Sequence, residues 1–144
     1  MPKKVLIVDD DHSNRLLLYF ALKAGDFEIY QAESGEAVQK MANEMTFEMA
    51  LIDIELPDIN GLDLVSLLRD KFENILLIMS TATDDPEILY RACVGGANGY
   101  LVKPFDLKQV LTLINQLELQ PVKVKSQMMV LGNNARLRLY SINK

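Results

Sequence analysis

Four short apolar runs set the terms for this chain, because each stops at a residue able to do chemistry. Val5-Leu6-Ile7-Val8 ends at Asp9-Asp10, and Met49-Ala50-Leu51-Ile52 ends at Asp53. Ile75-Leu76-Leu77-Ile78-Met79-Ser80 ends at Thr81, and Tyr100-Leu101-Val102 ends at Lys103-Pro104. Runs of this length, apolar almost throughout and separated by helix-length segments, read as parallel strands buried on both faces. In such a sheet the ligand site lies beyond the carboxyl ends of the strands. The stops therefore predict one pocket that collects carboxylates, a hydroxyl and an ammonium. That set suits a divalent cation together with a phosphoryl group.

The intervening segments complete an alternating pattern. Strand 1 is expected over 4–9 and helix 1 over 13–24, ended by Gly25. Strand 2 is expected over 27–32, helix 2 over 35–45 and strand 3 over 49–53. A loop carrying Pro57 and Gly61 leads to helix 3 over 62–72, then strand 4 over 75–80. Helix 4, over 85–94, has Asp84 or Asp85 to cap it, Pro86 in its first turn and Gly95-Gly96 to stop it. Strand 5 is expected over 99–102 and helix 5 over 106–119, where Leu107, Val110, Leu111, Ile114 and Leu117 form an i, i+3, i+4, i+7 stripe. The pattern predicts an α/β fold: a doubly wound, five-stranded parallel sheet with helices on both faces, flavodoxin-like. Strand order 2-1-3-4-5 is expected, since it brings the acids of strands 1 and 3 together at a switch point.

Composition narrows the class. A hydrophobic fraction of 49% over 144 residues supports one packed body. No apolar run approaches the roughly 20 residues of a membrane span, and Val5–Val8 is too short for a signal-peptide core of about 7–15 residues, so a cytoplasmic location is expected. The single Cys93 forbids an internal disulfide; at helical spacing with Ile88, Leu89 and Ala92 it reads as a small core residue. Residues 1–120 hold 20 Asp and Glu against 10 Lys and Arg, a net of −10. Residues 121–144 hold five bases and no acid. The acidic body argues against nucleic acid as a direct ligand of residues 1–120.

Residues 1–120 are therefore read as one domain and 121–144 as a basic linker with hairpin-like character. Met128–Leu131, Gly132-Asn133-Asn134 and the alternating Arg136-Leu137-Arg138-Leu139-Tyr140 carry the hairpin signal. Twenty-four residues cannot form a core of their own. The leading expectation is a linker plus the first strands of an output domain. The alternatives are a strand pair docked on the body or on a second copy, and a disordered tail.

Taken alone, Asp9-Asp10-Asp11 reads as a solvated turn capping helix 1, Thr81 as a strand-end cap and Lys103 as a surface lysine. Their coincidence with Asp53 at four strand ends makes a shared pocket the stronger reading. Carboxylates brought this close repel one another unless a cation joins them. Hard oxygen ligands select Mg²⁺ or Mn²⁺, and Mg²⁺ takes one or two carboxylates plus phosphate oxygens. That leaves Asp53 free to act as a nucleophile and form an aspartyl phosphate.

Four stretches, in this order and spacing, carry a family resemblance: Val5–Asp11, Leu51–Gly61, Thr81-Ala82 and Gly99–Phe105. From about Lys4 to Leu119 the chain resembles response-regulator receiver domains of two-component signalling. The resemblance implies that Asp53 accepts a phosphoryl group from a phosphohistidine on a partner kinase or phosphotransfer protein. It implies Asp9, Asp10, Asp53 and the backbone carbonyl of Glu55 as ligands of Mg²⁺ or Mn²⁺. Lys103 would pair with the phosphoryl oxygens, Thr81 would hydrogen-bond them, and Tyr100 would swing inward as the loop after strand 4 follows. The face of helix 4, strand 5 and helix 5 would then present a changed surface to a downstream output domain or protein. The Lys103-Pro104 bond would be cis. Glu55 and Thr83 would border the path of attacking water, and His12 would face solvent. Such a domain is a signalling phosphoacceptor with self-catalysed phosphotransfer and autodephosphorylation rather than a conventional enzyme. A homodimer formed on phosphorylation is compatible with it, although helix 5 lacks the acidic-Leu…Ala-Arg pattern of receivers that dimerise ahead of winged-helix output domains.

Two rivals keep the same fold or the same intermediate. A phosphorylation-independent interaction module would need none of the acid set. A haloacid-dehalogenase-type phosphatase, also built on an aspartyl phosphate, wants a second Asp two residues after the first, where this chain has Glu55. A nucleotide-binding reading needs a glycine-rich turn after strand 1, and Asp9-Asp10-Asp11-His12-Ser13 is the opposite electrostatic choice.

Overall fold

The computed structural model describes residues 2–119, 126–134 and 136–142. Its elements in chain order are β1 (Lys3–Val8), α1 (His12–Lys23), β2 (Phe27–Ala32), α2 (Gly35–Glu44), β3 (Met49–Asp53), α3 (Gly61–Lys71), β4 (Leu76–Thr81), α4 (Pro86–Gly95), β5 (Gly99–Val102), α5 (Leu107–Leu119), β6 (Gln127–Leu131) and β7 (Leu137–Ser141). From β1 to α5 every boundary lies within one residue of the sequence expectation.

Local chemistry explains why the ends are so legible. Asp11 caps α1, its carboxylate accepting from the backbone N–H of Ser13 at 2.8 Å and of Asn14 at 3.2 Å. Ser34 and Asn60 cap α2 and α3 in the same way. Asp85, rather than Asp84, caps α4, and Pro86 follows it in the first turn. Gly96 ends α4 with φ of 109°, a left-handed conformation that glycine adopts without steric cost.

The strands form one sheet in the order β2-β1-β3-β4-β5-β6-β7. The first five strands are parallel and stand in the expected order 2-1-3-4-5. Among the described residues the sheet nonetheless has seven strands where five were expected. β6 adds to β5 in parallel and β7 returns antiparallel to β6, so the strand pair lies on the body. The physical reason is that β5 would otherwise leave a row of backbone donors and acceptors unpaired along its outer edge. Met128, Val130 and Leu131 supply apolar side chains to both faces there. The linker expected to begin at Pro121 lies outside the described residues.

Alternate residues of each strand feed two core layers. Leu6, Val8, Ile52, Leu77, Met79 and Tyr100 pack under α2, α3 and α4. Val5, Ile7, Leu51, Ile78 and Leu101 pack under α1 and α5. Cys93 is fully buried in the first layer, as its spacing predicts, and burial pushes its thiol pKa up. No helix among the described residues is long and apolar enough to cross a membrane.

Candidate functional site

The parallel pairing of β1 with β3 ends at Val8 and Ile52, so Asp9 and Asp53 are the next residues of adjacent strands. Asp10 follows directly, and the carboxylate oxygens of Asp9, Asp10 and Asp53 lie within 4.8 Å of one another. Asp9 and Asp53 are buried, whereas Asp10 is exposed. Lys103, just past the end of β5, reaches across two intervening strand ends. Its Nζ stands 3.3 Å from Asp9 Oδ2 and 3.2 Å from Asp53 Oδ2. The Lys103–Pro104 peptide bond is cis.

The acidic run after β1 divides its labour. Asp11 caps the helix, while Asp9 turns inward and accepts the backbone N–H of Asp11 at 2.8 Å. Burial pushes the Asp9 carboxyl above its ordinary pKa, outweighing the Asp11 N–H and the Lys103 ammonium that act to lower it. For Lys103 burial acts downward, but the charges of Asp9 and Asp53 outweigh it and hold the ammonium above its usual value. The amine is therefore a fixed positive charge inside the acidic cluster.

Asp53 is held from the loop that follows it. The Glu55 N–H donates to Asp53 Oδ1 at 3.1 Å, and the Glu55 side chain is exposed. Gly61 opens α3 directly against the strand end, its N–H donating to Ile54 O at 2.7 Å. A Cβ at this position would stand 2.3 Å from the Asp53 carbonyl oxygen, so only glycine permits the close approach.

Thr81 ends β4, one residue beyond Ser80, which pairs with Asp53. It is buried, and its Oγ1 accepts from the Thr83 N–H at 3.4 Å. The Lys103 N–H donates to Thr81 O at 2.7 Å, which links the hydroxyl-bearing strand to the ammonium-bearing one. Tyr100 lies fully buried beneath the loop after β4 and donates its hydroxyl to Thr83 O at 2.6 Å. Burial, with Asp84 and Asp85 nearby, raises the Tyr100 pKa, so the phenol stays protonated and remains a donor. His12 is exposed at the start of α1, as expected.

Sequence reasoning missed Arg15. Its guanidinium is buried under the end of β1, donating to Asp9 O at 2.6 Å and to Glu33 Oε1 at 3.2 Å. The signal was present: Arg15, Leu18 and Leu22 share the inward stripe of α1 at i, i+3, i+7. Asn98 was missed as well. Its side-chain carbonyl accepts from Leu77 N at 2.8 Å and from Arg69 Nη2 at 2.7 Å, which ties α3 and β4 to the start of β5.

The donor set fits a divalent cation. Three carboxylates facing one ammonium leave excess negative charge in a small volume, and all offer hard oxygen. Ser80 Oγ, on the residue paired with Asp53, is a buried side-chain oxygen without a partner among the described residues.

Comparison with known proteins gives one consistent result. The response regulator receiver domain model matches residues 5–115, and so ends ahead of β6. The chain is 32% identical over 117 residues to the transcriptional regulatory protein SrrA of Staphylococcus aureus, covering 81% of this chain and 48% of that one. It is 30% identical over 115 residues to the CAI-1 autoinducer sensor kinase/phosphatase CqsS of Vibrio cholerae, covering 78% of this chain and 17% of the relative. The match thus spans about half of one relative and under a fifth of the other. Among solved structures, the chemotaxis response regulator CheY4 of Vibrio cholerae superposes with a TM-score of 0.73 at 28% identity, over 83% of this chain and 98% of that one. With most of its length matched by the family model, and with the sheet order and the acidic cluster in place, the chain belongs to the response regulator receiver domain family.

Proposed function

We propose that this chain is a phosphoacceptor signalling domain in which Asp53 takes a phosphoryl group from a phosphohistidine on a partner histidine kinase or phosphotransfer protein. The observation that carries the reading is the convergence of Asp9, Asp10, Asp53 and Lys103 at the strand ends. In the transfer an Asp53 carboxylate oxygen forms the new bond to phosphorus. The bond from phosphorus to the imidazole nitrogen breaks, and its electron pair stays on the imidazole.

Asp9, Asp10, Asp53 and the backbone carbonyl of Glu55 would hold Mg²⁺ or Mn²⁺. When bound, the cation supplies positive charge to the phosphoryl oxygens. Lys103 supplies a second positive charge from a fixed position, and Thr81 offers a hydroxyl donor, since accepting the Thr83 N–H leaves its own O–H proton available. The Asp53 charge is consumed in the adduct, so Lys103 exchanges a carboxylate partner for a phosphoryl one. Thr81, the loop after β4 and Tyr100 form a hydrogen-bonded chain from the site to the face of α4, β5 and α5. Phosphorylation would bias this chain between two arrangements and so alter the surface offered to a downstream output domain or protein. On this reading the chain works inside the cell, where kinases of this kind act, and self-catalysed hydrolysis resets it: water forms the new bond to phosphorus, inorganic phosphate leaves, and the electron pair of the broken P–O bond returns to the Asp53 carboxylate.

The test is intact mass after incubation with Mg²⁺ and acetyl phosphate. The expected result is a single phosphoryl adduct in the parent chain and none in Asp53→Asn. Sustained turnover of unrelated phosphate esters would point instead to a phosphatase. Absence of any adduct would leave an interaction module and overturn the proposal.

A further inference from the structure

The β6–β7 hairpin lies beyond the family match, yet it runs alongside the strand that carries Tyr100 and leads to Lys103. β6 pairs with β5 through Gly99↔Met129, Tyr100↔Val130 and Leu101↔Leu131, so the hairpin turn begins beside Val102 and Lys103. The attachment is firm at its foot. The Met129 N–H donates to Asn98 O at 2.9 Å, and Met128, Val130 and Leu131 are buried against the body. At its head, Asn133 projects over the end of β5. With the amide assigned so that its nitrogen faces the strand end, Asn133 Nδ2 donates to Lys103 O at 3.2 Å and to Val102 O at 3.3 Å. These are the two consecutive carbonyls that flank the Lys103 N–H, which itself donates to Thr81 O at 2.7 Å. The backbone from which the ammonium is suspended is thus gripped from β4 on one side and from the hairpin turn on the other.

We propose that Asn133 is a positioning residue for Lys103, so that the β6–β7 hairpin is a working part of the phosphoryl site and not an appendage to it. The inference rests on the reading that Lys103 holds the phosphoryl oxygens. Transition-state stabilisation by a fixed charge depends on that charge already standing where it is needed. A long lysine stem keeps its head in place only if its backbone is held. In this orientation the amide donates two hydrogen bonds to carbonyls beyond the last β5–β6 pair, which no strand among the described residues pairs at this level.

The discriminating substitution is Asn133→Asp, which keeps the shape but presents an acceptor to two carbonyls. Asn133→Ala removes the donor without adding repulsion. The expected order of phosphorylation rates with Mg²⁺ and acetyl phosphate is parent, then Asn133→Ala, then Asn133→Asp. The alanine variant should be slower by about three- to tenfold, the range one neutral hydrogen bond can supply to a transition state. Asn134→Asp, in the same turn, is the control and should match the parent. A second readout needs no phosphoryl transfer: the side-chain ε-carbon resonance of Lys103 by NMR should move in Asn133→Asp and stay put in Asn134→Asp. If the parent takes no phosphoryl group but the resonance moves, the positioning contact stands and the phosphoacceptor reading falls. If Asn133→Asp phosphorylates like the parent, or slows with the Lys103 resonance unmoved, the inference is overturned.

Discussion

β6 and β7 each span five residues and pair with one another along their full length, yet only one of them has become core. Met128 is 0% exposed and Val130 1%, whereas Leu139 on the outer strand is 50% exposed. Intrinsic hydropathy does not separate them, for Leu137 and Leu139 are as apolar as Met128 and Val130. What separates them is the second neighbour. β6 has β5 on its other side and fully buried side chains in both core layers, while β7, among the described residues, has β6 alone: Leu137 and Tyr140 only lean against the layers, and Arg138 and Leu139 are exposed. Burial at the margin of a sheet is decided by what lies across the next hydrogen-bonded edge rather than by the strand's own sequence.

The largest expected effect would break this contrast if it failed. Met128→Ala removes a fully buried side chain and should cost about 2–5 kcal/mol of stability, while Leu139→Ala, half in water, should fall within about 0.5 kcal/mol of the parent. Urea unfolding of both variants measures the difference, and equal costs would mean that the inner strand is not packed on the body. A smaller effect sharpens it from the other side of the β5–β6 seam. Tyr100→Phe deletes the hydroxyl that donates to Thr83 O and should cost about 0.5–1.5 kcal/mol. Amide exchange in β6 should be unchanged in that variant, because its bond is to the loop after β4 and not to the hairpin. Faster exchange throughout β6 would show that the hairpin leans on the tyrosine hydroxyl.

The smallest effect concerns a contact that the body has and the outer strand lacks, a carboxylate that ties two distant loops. Asp58 accepts the backbone N–H groups of Gly35 at 2.8 Å and Glu36 at 2.9 Å, and these bonds hold its carboxyl below the ordinary value. The folded pKa is depressed, so the stabilisation is present above the unfolded value of about 3.9 and is lost as pH falls through the folded one. Urea midpoints should therefore converge for the parent and Asp58→Asn at acid pH and separate, with the parent higher, towards neutrality. Parallel pH profiles for the two chains would show that the Asp58 charge contributes nothing.

Much of the molecule was legible because its signals are local. Asp11, Ser34, Asn60 and Asp85 sit where caps belong, and Pro86 and Gly96 bracket α4, so helix ends follow from a few neighbouring residues. The acids at the ends of β1 and β3 were legible for a second reason: apolar strands paired in parallel bring their ends to one side. Arg15 was harder because a charge on an inward stripe is read as an exception until its acceptors are seen. Its partners, Asp9 O and Glu33, come from the ends of two other elements. Asn98 and Asp58 are alike in this, since nothing near them in sequence announces the backbone groups they satisfy.

By itself the sequence determined the alternation of strand and helix, the order of the first five strands and the gathering of Asp9, Asp53 and Lys103 at one end of them. Periodicity and capping act over short stretches of chain and set the alternation, while the order followed from requiring the acids that end strands 1 and 3 to meet at a switch point. Only the tertiary structure decided that the basic, hairpin-like segment joins the same sheet, and that its turn lands on the carbonyls of Val102 and Lys103. An alternating apolar strand can pair with any open edge of matching pattern. Which edge it takes depends on the height of β5, the side chains left uncovered beside α4 and α5, and the reach of the chain between them, none of which is a property of the strand alone.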